Sequence, residues 1–207
     1  MTDRSGVMVI CDGDLPSLVA VMHTAERLGS THGPGRVGRL VIVPVAGGET
    51  ARHAAVQRQA ALCGAAIESD LGRFDTETDL LLSAGRSADR QGLGEMIWPV
   101  HAGAPDDPET VDLDRAAGCA ATALLIERLL QVESGDAPIV AAPFVDLCDR
   151  RLADLAIDLG LIPGDVWWSA GTGDSQSVAA ERWGRAFEAN GVALRLASAS
   201  KAASHRG

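Results

Sequence analysis

Lysine is almost missing from this chain: Lys201, in the tail, is the single one, and every other member of the 18 Lys and Arg residues is arginine. A mechanism that needs a catalytic lysine in the folded body is therefore excluded. Cysteine is sparse as well. Cys11, Cys63, Cys119 and Cys148 are far apart and make no CxxC pair, so neither a disulfide framework nor a zinc site is signalled, and buried thiols are expected. No apolar run approaches the roughly 20 residues that span a bilayer, and Met1-Thr2-Asp3-Arg4-Ser5 carries no signal-peptide pattern. A cytoplasmic protein with no membrane partner is expected. Basic clusters are absent too. At a net charge of −10, a nucleic-acid partner is disfavoured, because such affinity comes largely from neutralising phosphates. A small molecule or a protein is the expected partner, a homodimer included.

What is present is apolar enough for a core. The chain has 207 residues, 46% of them hydrophobic, which suits one domain over 1–196 followed by a small, polar, disordered tail over 197–207. Val7 to Cys11 is an apolar run of the kind that makes a fully buried strand, and a helical pattern starts at Leu15 and continues to Leu28, with Gly29 placed to close it. The turn between them, Cys11-Asp12-Gly13-Asp14-Leu15-Pro16-Ser17, tops a β-α unit. Helix N-terminal amides beside a strand end are where α/β proteins commonly bind anions. Two carboxylates occupy this one.

Further along, strands are expected at Leu40–Val45, Ala65–Ile67, Glu95–Val100 and Pro138–Ala142, and helices at Glu49–Cys63, Leu80–Arg90 and Asp112–Gln131. In the last of these Leu113, Ala117, Ala120, Leu124 and Leu125 share one side. Asp149–Leu159 reads as a helix closed by Gly160, and Ser177 reads as the cap of a final helix to Ala189 with Gly191 beyond it. Strands alternating with helices indicate an α/β fold: a doubly wound, mainly parallel sheet with a small helical C-terminal lobe. Its ligand belongs at the carboxyl ends of the strands, where Asp12–Ser17, Gly47-Gly48 and His101–Asp107 converge.

The acids of the first turn admit more than one role. Asp14 suits the N-cap of the helix at Leu15, with Asp12 a solvated turn residue; alternatively Asp12 and Asp14 hold Mg²⁺. Gly47-Gly48 either lets a nucleotide approach the backbone or makes a turn. His23 and His53 lack ligand-spaced partners and read as structural, whereas His101, on the edge of the sheet that carries the first loop, is the histidine placed for catalysis. Trp167-Trp168 either stacks on a planar ligand or, as the favoured reading, closes the C-terminal lobe over the core.

The order of these elements, with Pro143-Phe144-Val145-Asp146-Leu147 leading into a helix and Gly160, then Trp168-Ser169 and Arg185-Ala186-Phe187 through Gly191, resembles the 7-cyano-7-deazaguanine synthases. These are PP-loop ATP pyrophosphatases on a HUP-type, Rossmann-like fold that serve the queuosine and 7-deazapurine pathway. The resemblance implies that Gly13, Asp14, Ser17 and Gly47 lie at the nucleotide, that Pro105-Asp106 is the counterpart of a substrate-loop motif, and that ATP and Mg²⁺ are the cofactors of an ATP-dependent C–N ligation. The catalytic candidates are Asp12, Asp14 and His101. The sequence departs from the family at two places. Of the SGGxDS pyrophosphate loop only Gly13 and Ser17 survive, and the four zinc cysteines are replaced by Ala170, Asp174, Ser177 and Ala180, so no zinc is expected. Two functions follow: an altered PP-loop ligase, or a pseudoenzyme that keeps the fold for binding or assembly. A strand ending in Asp12-x-Asp14 also resembles haloacid-dehalogenase-type phosphatases, although Pro16 and the missing lysine depart from them.

Overall fold

The computed structural model describes residues 4–31, 38–45, 50–69, 71–72, 74–161, 163–169 and 173–194. Gly47-Gly48, Ala170 and the tail from 195 lie outside them. Strand β1 (Val7–Cys11) is buried at every residue, which a strand with helices on both faces must be. It pairs in parallel with β2 (Leu40–Pro44) from Val7 opposite Leu40, and with β4 (Glu95–Ile97) from Val7 opposite Glu95. The short β3 (Ala66–Ile67) and β5 (Ile139–Ala141) close the two edges, giving five parallel strands in the order β3-β2-β1-β4-β5. That order is Rossmann-like, and its switch point falls between β1 and β4.

Strand pleating sorts the core into two layers. Val7, Val9 and Cys11 enter one layer, against α1 (Leu15–Thr31), α2 (Thr50–Cys63), α5 (Asp149–Asp158) and α6 (Asp174–Glu188). Met8 and Ile10 enter the other, against α3 (Glu77–Arg90) and α4 (Leu113–Ser134). Leu15, Leu18 and Val19 anchor α1 with almost no exposure, each contributing roughly 1.5–3 kcal/mol by leaving water. Cys11 is the bland buried thiol expected of it: it donates to Gln59 Oε1 at 2.9 Å, and burial pushes its pKa up to about 12.

Several expectations are corrected. Helix α1 runs through Gly29 to Thr31, because Gly29 does not take the left-handed conformation that would cap it. Helix α3 begins earlier than its first apolar residue, at Glu77, because the Thr76 hydroxyl accepts from the Asp79 amide. Ser177 lies inside α6 rather than at its start; Gly173 occupies the cap, and its amide donates to Gln176 Oε1. Strand β4 ends at Ile97, leaving Trp98 to His101 as an extended rim. Most consequentially, Leu113, Ala117, Ala120, Leu124 and Leu125 face away from the sheet. Helix α4 packs instead through Ala116, Ala123, Ile126 and Leu130. No helix among the described residues is long and apolar enough to cross a membrane.

Candidate functional site

The turn after β1 closes on itself. Gly13 is left-handed, at φ +80°, and a Cβ there would stand 2.8 Å from the Arg52 carbonyl oxygen and 2.9 Å from Ala55 Cβ. Its carbonyl accepts from the Trp167 amide at 2.9 Å. Glycine is thus required by contact with α2 and the C-terminal lobe. Asp12 Oδ1 accepts from the Asp14 amide at 2.9 Å and from the Ser17 hydroxyl at 2.8 Å, while Ser17 Oγ accepts from the Asp12 amide at 3.1 Å. Arg52 reaches Asp12 Oδ2 at 3.3 Å and lies 4.0 Å over the Trp167 ring. The amides of Asp12, Asp14 and Leu15, which a phosphate would need, therefore all point at side chains of the same turn.

Asp14 is the hub. Its Oδ1 accepts from the Leu15 amide at 2.8 Å, the Trp168 indole at 2.7 Å and the Trp183 indole at 3.1 Å. It takes the first amide of α1 and ties the helix start to two tryptophans more than 150 residues away. Burial first, then the Asp12 charge, raise its pKa against the opposing pull of the Leu15 amide, the Trp168 indole and Arg52. The pKa of this carboxyl thus lies above the ordinary aspartate value. Asp12 Oδ1 and Asp14 Oδ1 are taken by donors of the turn and by the two indoles, and Asp12 Oδ2 by Arg52.

A second polar cluster lies across the cleft. Asp149, the first residue of α5 and 1% exposed, takes Arg182 through Nε at 2.6 Å and Nη2 at 2.8 Å. Arg182 Nη2 also donates to the Gly103 carbonyl at 2.9 Å and lies 3.5 Å from His101 Nδ1. His101 is buried beside Trp183, and its Nε2 has no hydrogen-bond partner, the nearest carboxylate oxygen being Asp149 Oδ1 at 3.5 Å. Burial lowers its pKa to about 4, with Arg182 adding to the effect and Asp149 opposing it. A Cβ on Gly103 would fall 2.0 Å from Asp149 Oδ1, so only glycine lets the His101 loop close over the pair.

Both clusters line one open cleft of about 210 Å³ at the β1/β4 switch point. Asp12, Asp14, Ser17 and His101 meet there as the sequence predicted, joined by Glu77, Arg115, Arg182 and Trp183. Pro105 and Asp106 do not line it. They face solvent, and the Pro105 carbonyl is held by Arg185 of α6 at 2.8 Å. Asp174, Ser177 and Ala180 sit along α6, and among the described residues no three His, Cys, Asp or Glu side chains converge as a metal ligand set. Sequence reasoning missed Asp149, Arg182 and Trp183. The Trp183 signal was available, since α6 carries it two residues before the quoted Arg185, but nothing in the sequence pairs Asp149 with Arg182.

No family model matches the chain, and no curated protein matches it. Among solved structures, the U34-tRNA thiolase NcsA from Methanococcus maripaludis with its [4Fe-4S] cluster is similar at 13% identity and a TM-score of 0.47, over 91% of this chain and 68% of that one.

Proposed function

We propose that this chain is a diverged, 7-cyano-7-deazaguanine synthase-like PP-loop protein in which ATP-dependent ligation has been lost, leaving a binding or assembly role. One observation carries the reading: the loop that would hold pyrophosphate has its own carboxylates and hydroxyl on the Asp12, Asp14 and Leu15 amides. Displacing them would cost three part-buried hydrogen bonds, about 1 kcal/mol each. It would also bring polyphosphate beside Asp12. Neither ATP nor Mg²⁺ is favoured there. The reading is tested by incubating the protein with ATP, Mg²⁺ and ammonia with a carboxylated 7-deazapurine, and measuring pyrophosphate release. Release indistinguishable from a protein-free control supports a lost ligase; sustained turnover contradicts it.

A second reading has its own observation. Asp14, whose pKa burial raises above the ordinary aspartate value, faces a cleft that also holds Arg115 and Arg182. Such a carboxyl can donate a proton to an anion held by the arginines. On this reading the site is an altered enzyme acting on a small anion, and Asp14→Asn abolishes its turnover without unfolding the protein.

A further inference from the structure

Helix α4 is apolar on both of its faces. The inward face packs through Ala116, Ala123, Ile126 and Leu130, as any surface helix would. The outward face carries Ala117, Gly118, Ala121, Leu124, Leu125 and Val132, all exposed, with Leu125 at 63% and Val132 at 85%. A helix hydrophobic all round is ordinarily buried all round. A contiguous stripe of this kind on an acidic chain marks an interaction surface rather than scattered surface leucines.

The order of residues along the stripe names its occupant. Asp114, Ala121 and Arg128 are spaced by seven, so each points within about 20° of the next. Among the described residues, Asp114 and Arg128 have no ion-pair partner within the chain. The two are opposite in sign and equidistant from Ala121. An antiparallel copy of the same helix, related by a two-fold axis at Ala121, would set Asp114 of each copy against Arg128 of the other. The same operation puts Leu124 and Leu125 of one copy over Gly118 and Ala117 of the other, small residues that leave holes for large ones. Leu113 would come beside Leu129. Size and charge are thus complementary under one symmetry operation, which is what an isologous interface requires.

We infer that the chain self-associates as a two-fold dimer through antiparallel pairing of α4, centred on Ala121. The helix is about 33 Å long, and a single helix strip reaches only the low end of stable interfaces, roughly 600 Å² per partner. The dimer therefore dissociates on dilution. This proposal does not depend on the chemistry of the cleft. Arg115 lies to the side of the stripe and remains available there.

Sedimentation velocity on the full chain over a wide dilution series tests it. The parent is expected as a reversible dimer, and Leu125→Asp as a monomer with unchanged far-UV circular dichroism. Asp114→Arg and Arg128→Asp should each weaken association by roughly tenfold or more, because each sets like charges together twice. The double variant Asp114→Arg/Arg128→Asp should recover the parent's dissociation constant to within a few-fold. A parent that is monomeric throughout, a dimer indifferent to Leu125→Asp, or a double variant as weak as the singles would each overturn the proposal. Removing residues 195–207 should leave the dimer intact; its loss would mean that the tail, not α4 alone, makes the contact.

Discussion

Asp14 shows how one side chain can serve helix, lobe and cleft together. Its Oδ1 satisfies the Leu15 amide and two indoles, so Asp14→Ala would leave buried donors unpaired at about 1–3 kcal/mol each. Chemical denaturation should show Asp14→Ala less stable by roughly 3 kcal/mol or more, and Asp14→Asn, which keeps an acceptor oxygen in place, by about 1 kcal/mol. The chain contains no tyrosine, so its near-ultraviolet fluorescence reports tryptophan, and Asp14→Ala should shift the emission as Trp168 and Trp183 lose their acceptor. His101 gives a pH signature. Its pKa falls from 6.5 to about 4 on folding, so between those values the unfolded chain binds the extra proton. Stability is present in full above pH 6.5 and is lost as the pH falls toward 4, by at most about 3 kcal/mol. Asp14 acts with the opposite sign. Its raised pKa makes the folded state bind the extra proton above 3.8, so its contribution declines as the pH rises. Between pH 4 and 6.5 the slope of the denaturation midpoint against pH should be more positive in the parent than in His101→Gln, where only the opposing contribution of Asp14 remains.

At the scale of elements, α5 and α6 are joined by a charge pair that no pattern announces. Asp149 at the start of α5 and Arg182 in α6 bond through two nitrogens, and the Gly103 loop closes over them. Arg182→Ala leaves an unpaired buried carboxylate and should cost about 3–5 kcal/mol. Asp149→Asn combined with Arg182→Met should cost clearly less than that single change, because the charge left behind is removed with its partner. Periodicity made most elements legible. The apolar run at Val7–Cys11 and the helical spacing from Leu15 fix β1 and α1, and the alternation of strands with helices implies the parallel sheet. It failed where a helix has two apolar faces. In α4, Leu113, Leu124 and Leu125 satisfy a helical pattern as well as Ala116, Ala123 and Ile126 do, and the pattern alone cannot say which set meets the sheet. It failed again at the start of α6, where a serine suited to capping lies one turn inside a glycine cap.

For the whole molecule, the convergence of the candidate residues on one cleft was readable and their partners were not. Asp12, Asp14, Ser17 and His101 converge at the switch point because topology alone sends the ends of β1 and β4 there. Whether the two acids bind a metal or saturate the loop depends on tertiary partners. Arg52 comes from α2, and Trp168 and Trp183 from the C-terminal lobe; each meets the turn only after the fold has formed. The saturated loop is the feature that sets this turn against a nucleotide. The most direct measurement is a calorimetric titration of the purified, cooperatively folding protein with ATP, in the absence and presence of Mg²⁺. The saturated loop predicts no saturable heat in either case, since the Asp12, Asp14 and Leu15 amides are already taken and Asp12 opposes polyphosphate. Saturable, Mg²⁺-dependent binding that weakens in Asp12→Asn would contradict it, showing that the acids open to hold a metal and that the loop still serves a nucleotide.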